Sequence, residues 1–153
     1  VIGMLGNCPE ADDVGQETFI RFYNNIFQFR GDSSVGTYLT RIAMNLSLNE
    51  IKSRKRRSLF FQRQSENDYN ISDNSNQNRN FENKELIQRA LQKLDSNFRS
   101  VLVLRLIDGY STTETAQILK LPIGTVLSRL ARAQKKLKEL LIPYMGDEPW
   151  IKK

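Results

Sequence analysis

The sequence predicts an all-α chain of two small helical domains joined by a flexible linker, with the second domain a helix-turn-helix. Three observations carry this reading. Apolar residues recur at intervals of three and four along most of the chain, the spacing that gathers side chains on one face of a helix. That periodicity fails between about Gln64 and Asn83, where QSENDYNISDNSNQNRNFEN holds too few apolar groups to offset the entropy of ordering its backbone. Finally, STTETAQILKLPIGTVLSRLARAQKKLKELL, from Ser111 to Leu141, reads as a capped helix, a tight turn and a longer basic helix. The resulting division is residues 1–58 for the first domain, 59–83 for the linker, 84–142 for the second domain and 143–153 for a tail.

Composition narrows the function classes. A chain of 153 residues with 39% hydrophobic content is long enough for one medium domain or two small ones. With one cysteine, Cys8, and no histidine it has neither an internal disulfide nor the ligand set of an ordinary zinc site, so no metal and no cofactor is expected. No apolar run reaches the roughly 20 residues that span a bilayer, and no signal-peptide pattern opens the chain. These features predict a cytoplasmic protein without membrane insertion. The net charge of +6 is unevenly placed, with acidic residues between Glu10 and Glu17 and basic ones in Lys52–Arg57 and Arg129–Lys138. The two kinds of segment suit different partners.

The first helix is predicted from about Asp12 to Ile26, with Val14, Thr18, Phe22 and Ile26 toward a core and Asp13, Gln16, Glu17 and Asn24 outside. Acidic residues in a first turn favour the helix dipole, so Asp12 and Asp13 are compatible with a structural role as well as with a partner. FRGDSS, Phe29–Ser34, is a loop by its glycine and its short polar residues. A second helix starts near Val35. Leu39, Ile42 and Leu46 lie on one of its sides and Met44, Leu48 and Ile51 roughly opposite, which predicts burial from two directions in a small bundle.

Between those sides runs a stripe of Tyr38, Arg41, Asn45, Asn49 and Lys52. A ring for stacking, amides for base edges and cations for phosphate match what single-stranded nucleic acid requires, although a plain polar stripe has the same spacing. KSRKRR, ending in Arg54, Lys55, Arg56 and Arg57, closes this helix in a positive cluster suited to phosphate, with a solvated end as the alternative.

Beyond the linker, Leu86, Ala90, Leu91 and Leu94 mark one helix. Phe98, Leu102 and Leu106, with Val101 and Arg105 beside them, mark another, ended by Gly109 as a left-handed cap. Ser111 caps the next helix, with Glu114 at capping-box distance, and Lys120-Leu121-Pro122 breaks it after Leu119. In the last helix Val126, Leu130, Ala133, Leu137 and Leu140 form the packing face. Thr125, Ser128, Arg132 and Lys135 lie opposite, with a length and chemistry suited to a major groove. The tail carries Trp150, for which local docking is expected.

QETFIRFY at Gln16–Tyr23, FRGDSSVGTYLTRIAMN at Phe29–Asn45 and PIGTVLSRLARA at Pro122–Ala133 stand in an order, with a linker between, that resembles the extracytoplasmic-function (ECF) group of sigma-70 family factors of bacterial RNA polymerase. The resemblance covers most of the chain. It implies that Asp13, Gln16 and Glu17 grip core RNA polymerase. It further implies that Phe29, Arg30, Ser33, Ser34, Tyr38, Arg41, Asn45, Asn49 and Lys52 open the promoter element near the start site and hold an unstacked base. The distal element, still duplex, falls to Thr125, Ser128, Arg129, Arg132 and Lys135. The expected function is a sigma factor, not an enzyme, whose partners are the polymerase, duplex and melted promoter DNA, and an anti-sigma factor or another recruiting protein.

The alternative is a helix-turn-helix regulator that binds duplex DNA without polymerase; it has no use for the stripe or for an acidic first helix. A processing enzyme lacks an evident carboxylate cluster, histidine or phosphate-cradling loop. Two departures from the family pattern stand out. A helix that usually precedes the first block is expected to be missing from residues 1–58, and Leu127 and Gln134 occupy positions where many members carry cations. The second departure predicts weaker phosphate attraction, with base discrimination resting on Ser128 and Arg132.

Overall fold

The computed structural model describes residues 1–60 and 84–144 in full and the backbone of 61–64 and 79–83. Its helices are α1 (Ile2–Leu5), α2 (Pro9–Asn24), α3 (Val35–Gln64), α4 (Arg79–Lys93), α5 (Ser96–Leu102), α6 (Thr112–Leu119) and α7 (Ile123–Leu141), and no strand occurs among the described residues. Residues 65–78 of the expected linker and the tail with Trp150 lie outside the described residues.

Local chemistry sets most helix ends. Pro9 opens α2 at the position where a missing amide costs nothing, and Glu10 and Asp12 sit in its first turn. The helix thus starts earlier than Asp12 and stops at Asn24. Ile26, expected in the core, falls in a 3₁₀ turn and is exposed. Ser34 begins α3, its hydroxyl accepting from the Thr37 amide at 3.1 Å. Asp95 does the same for α5, accepting from the Asn97 amide at 2.9 Å. Before α6 the capping box is complete, since Ser111 Oγ accepts from the Glu114 amide at 3.2 Å and Glu114 Oε2 accepts from the Ser111 amide at 2.8 Å. Lys120 then takes a left-handed φ of 54° and Pro122 precedes the first residue of α7.

Two expectations about helix extent are corrected. The basic cluster does not end α3, which continues to Gln64, because no glycine or proline interrupts the chain after Gly36 and Glu50 pairs with Arg54 at 3.2 Å and Arg57 at 2.7 Å along the helix. With α4 starting at Arg79, the linker expected at 59–83 is helical at both ends. The helix after Asp95 also widens into a π-turn over Val103–Ile107, where Asp108 donates its amide to the Val103 carbonyl at 2.9 Å. The extra residue in that turn rotates the side chains after it around the helix axis. Leu106, expected to face inward with Phe98 and Leu102, is 56% exposed, and Val103 and Leu104 are buried instead.

The packing joins the two halves of the chain. Leu91, Leu94, Leu102 and Ala133 make a core of α4, α5 and α7, and Val101, Ala116 and Val126 seat the helix-turn-helix on α5. A further cluster draws Met4, Leu5, Ala11, Val14 and Met44 from the first half together with Val103, Leu104 and Ile118 from the second. This is the second direction from which α3 is covered. Polar bonds cross the same seam: Arg99, 6% exposed, donates to the Met4 carbonyl at 2.5 Å, Gln88 donates to the Ile2 carbonyl at 3.0 Å, and Thr40 and Tyr110 share a hydroxyl bond at 2.7 Å. Arg99 also donates to the Gln92 and Leu94 carbonyls, which anchors it from its own side; burial lowers its pKa, against a raising effect of Asp95.

A core shared in this way makes the halves unfold together. Leu104→Ala is expected to cost about 2–5 kcal/mol, as for other buried leucines, and to raise amide exchange in α2 and α6 alike. Exchange that rises in α6 alone would contradict the shared core.

Candidate functional site

Three surfaces carry the residues singled out from sequence. On α2, Ala11, Val14 and Thr18 are buried, which turns Asp13, Gln16, Ile20 and Tyr23 onto the opposite face. Asp13 and Gln16 are exposed, whereas Glu17 is half-buried and accepts from Arg21 Nε at 2.6 Å. Beside them Phe19 is 65% exposed and Tyr23 75%, and Phe27 follows in the 3₁₀ turn, fully exposed. Core periodicity passes over these aromatics because they fall off its spacing; large apolar groups at spacing four on the wrong face are the signal that points to them. A groove of about 830 Å³ borders the N-terminal half of α2, with Ile2, Gln16, Ile87 and Ile107 among its walls.

The second surface is the α3 stripe and the loop before it. Asn45, Asn49 and Lys52 project outward in register, while Tyr38 and Arg41 are half-buried. Tyr38 is held on two sides, its ring centre 5.2 Å from that of Phe29 and 6.0 Å from that of Phe22. Phe29 thereby belongs to the support of Tyr38, and Arg30 and Ser33 stay in the loop, which turns through Gly31 at φ 74°. Ser34 is engaged as the α3 cap. The structure therefore brings Tyr38, Asn45, Asn49 and Lys52 onto one edge and gives Phe29 and Ser34 structural work.

The basic cluster divides likewise. Lys55, Arg56 and Arg57 are exposed. Arg54 turns inward, meeting Glu50, Glu10 at 3.2 Å and the Cys8 sulfur at 3.1 Å, so it ties α3 to the start of α2. Burial acts to lower its pKa, but the contacts with Cys8, Glu50 and Glu10 raise it and the net shift is upward. Glu10 titrates below its ordinary value, held there by the backbone amide it accepts from, then by Cys8 and by Arg54.

The third surface is α7. Val126 and Ala133 are fully buried, and Ser128, Arg132 and Lys135 are exposed on the far side. Thr125 and Arg129 are half-buried on one flank. Ser128 spends its proton on the Thr125 carbonyl at 3.1 Å, which leaves its lone pairs to accept from a ligand. Gln134 is exposed. The hydrophobic residues Ile123 and Leu127 are 49% and 52% exposed.

A helix-turn-helix and a polar stripe with this spacing occur in several kinds of DNA-binding protein, and comparison decides among them. The family model for sigma-70 region 2 matches residues 2–57 and that for sigma-70 region 4 matches residues 84–137. The ECF RNA polymerase sigma factor SigW of Bacillus subtilis is 34% identical over 90% of this chain and 79% of its own length. The chain belongs to the ECF sigma factors. In its fold this sigma factor is similar to RpoE of Bartonella quintana, solved with the anti-sigma factor NepR, at a TM-score of 0.72 and 23% identity over 96% of this chain and 88% of that one. CnrH, solved with the cytosolic domain of CnrY, gives a TM-score of 0.64 and 27% identity over 92% of this chain and 77% of that one.

The capping box that presents the sigma factor's helix-turn-helix titrates. Bonds from the Ser111 hydroxyl and amide hold the Glu114 carboxyl below its ordinary value of 4.5. A depressed folded pKa contributes stability that is complete above the unfolded value and disappears as pH falls through the folded one. Glu114→Gln is therefore expected to be less stable than the parent at neutral pH, with the gap closing on acidification below 4.5. Ser111→Ala is expected to cost about 1 kcal/mol at neutral pH. Urea unfolding across a pH series checks both, and a gap that widens in acid would contradict the assignment.

Proposed function

We propose that this chain directs core RNA polymerase to promoters, reads them at two elements and helps separate the strands, with no bond-making chemistry of its own. The observation that carries this reading is the presence in one chain of an outward stripe on α3 and an outward polar face on α7, beside an α2 face that offers carboxylate, amide and aromatic groups to a protein. The work is binding, and its place is wherever the polymerase meets DNA, in the cytoplasm.

On this reading Asp13, Gln16 and Glu17 hold the polymerase, and exposed Ile20 and Tyr23 extend that face with apolar area, where interface energy concentrates. Asn45, Asn49 and Lys52 meet the melted strand, and Tyr38, braced by Phe22 and Phe29, gives an unstacked base a rigid ring. Extruding a base costs a few kcal/mol, which stacking and edge bonds have to return. Lys55, Arg56 and Arg57 follow the phosphates, and Arg54 positions α3 on α2. Ser128, Arg132 and Lys135, flanked by Thr125 and Arg129, face the distal duplex element.

A first unit that ends with α3 at Gln64 and a second that opens with α4 at Arg79 suit this division of labour. An anti-sigma factor fits as a second partner, supported by the likeness to CnrH in its complex with CnrY and by the groove beside Gln16, where such a partner reaches the polymerase face. The alternative of a regulator acting without polymerase gives no account of the exposed α2 face.

Adding the protein to core polymerase on a promoter library is expected to yield start-site-specific transcripts and co-elution on a sizing column. Absence of both would favour the regulator. Asn49→Ala is expected to slow promoter opening, followed by permanganate footprinting, while polymerase binding holds; an equal loss of both would remove Asn49 from the melting surface.

A further inference from the structure

Ile123 and Leu127 stand one turn apart at the start of α7, 49% and 52% exposed. Neither belongs to the packing of the helix-turn-helix, whose buried positions on α7 are Val126 and Ala133. At about 100° per residue they form one edge of the outward face, with Gly124, Ser128 and Ala131 along its middle and Thr125, Arg129 and Arg132 on the other edge. The middle is built of small side chains, and a Cβ added at Gly124 would meet nothing within 4 Å, so the helix can sit close against a flat surface. Exposed Arg132, Lys135 and Lys138 on the same helix mark that surface as anionic.

Two branched apolar side chains at the N-terminal end of a recognition helix, set among cations, match one feature of duplex DNA. The thymine C5-methyl is the only apolar group that a base edge presents in the major groove. We infer that Leu127 and Ile123 read thymine methyls in the distal promoter element and so take part in its base choice. Leu127 thereby contributes base discrimination where a cation would contribute phosphate attraction, and the contact does not require Ser128, whose proton is already spent. This inference rests on the sigma-factor reading of the chain.

The test uses the full chain with core polymerase. Distal elements are selected from a duplex library, and the winning element is rebuilt with deoxyuridine in place of thymine, one position and one strand at a time, which deletes the methyl and nothing else. One or two positions are expected to lose binding about fourfold, the equivalent of about 0.8 kcal/mol for one buried methyl at 1.4 kcal/mol per tenfold. Leu127→Ser is expected to abolish the loss at one position, so that thymine and deoxyuridine bind alike there, with polymerase co-elution and far-UV circular dichroism as in the parent. Ile123→Ser does the same at a neighbouring position. Deoxyuridine tolerated throughout, a winning element without thymine, or a thymine preference that survives Leu127→Ser would overturn the inference while the sigma-factor reading stands. Lack of any start-specific transcript from the library would overturn both.

Discussion

The arrangement depends on a core that draws on both ends of the sequence. Met4, Val14 and Met44 meet Leu104 and Ile118 with almost no surface left to water, so α3 is covered by α2 on one side and by the helix-turn-helix unit on another. Burial of this kind is non-directional and settles only that the surfaces meet. Orientation comes from the polar bonds at the rim, because Gln92 and Leu94 fix the planar Arg99 guanidinium from its own half, and its one bond across the seam, to the Met4 carbonyl, would be lost if the seam rotated. With one side of each of α2, α3 and α7 committed inward, their remaining faces, exposed Tyr23 and Leu127 included, are outward by default. Function is written on those faces.

The division between inward and outward explains which parts are legible in the sequence. Helix identity and the capping box follow from local chemistry, since Ser111, Glu114 and Pro122 act within a turn of their own positions. The recognition helix follows from periodicity. The features that periodicity misses depend on partners remote in sequence. Arg54 belongs to a cationic run by composition, yet Glu10 and Cys8, more than forty residues earlier, turn it inward. Leu106 departs from its expected inward place because the π-turn adds a residue that no spacing rule anticipates. The joint between the halves is illegible for the same reason, as a polar segment between two helical patterns reads as separation whether or not the patterns later pack together.

Among residues expected to contact DNA, the structure separates those that touch a ligand from those that hold them. Phe29 braces Tyr38 and Ser34 starts α3, so both act on the stripe through its geometry. Such residues are hard to tell from contacts by sequence, because a motif is a unit of position and does not distinguish a side chain that meets the partner from the one behind it. A ring fixed from two sides loses little freedom when a base stacks on it, which makes the support part of the affinity.

Two of the polar bonds across the seam end on main-chain carbonyls, those of Ile2 and Met4. A carbonyl is supplied by any residue, so the acceptors persist whatever side chains occupy α1, provided its backbone keeps the turn that Gly6, at φ 82°, closes. The donors Arg99 and Gln88 have no such freedom. Mutational drift should therefore be lopsided across these two bonds, strict at Arg99 and Gln88 and free at exposed Ile2, whereas Met4 is held by the core that buries its side chain and not by the carbonyl it offers.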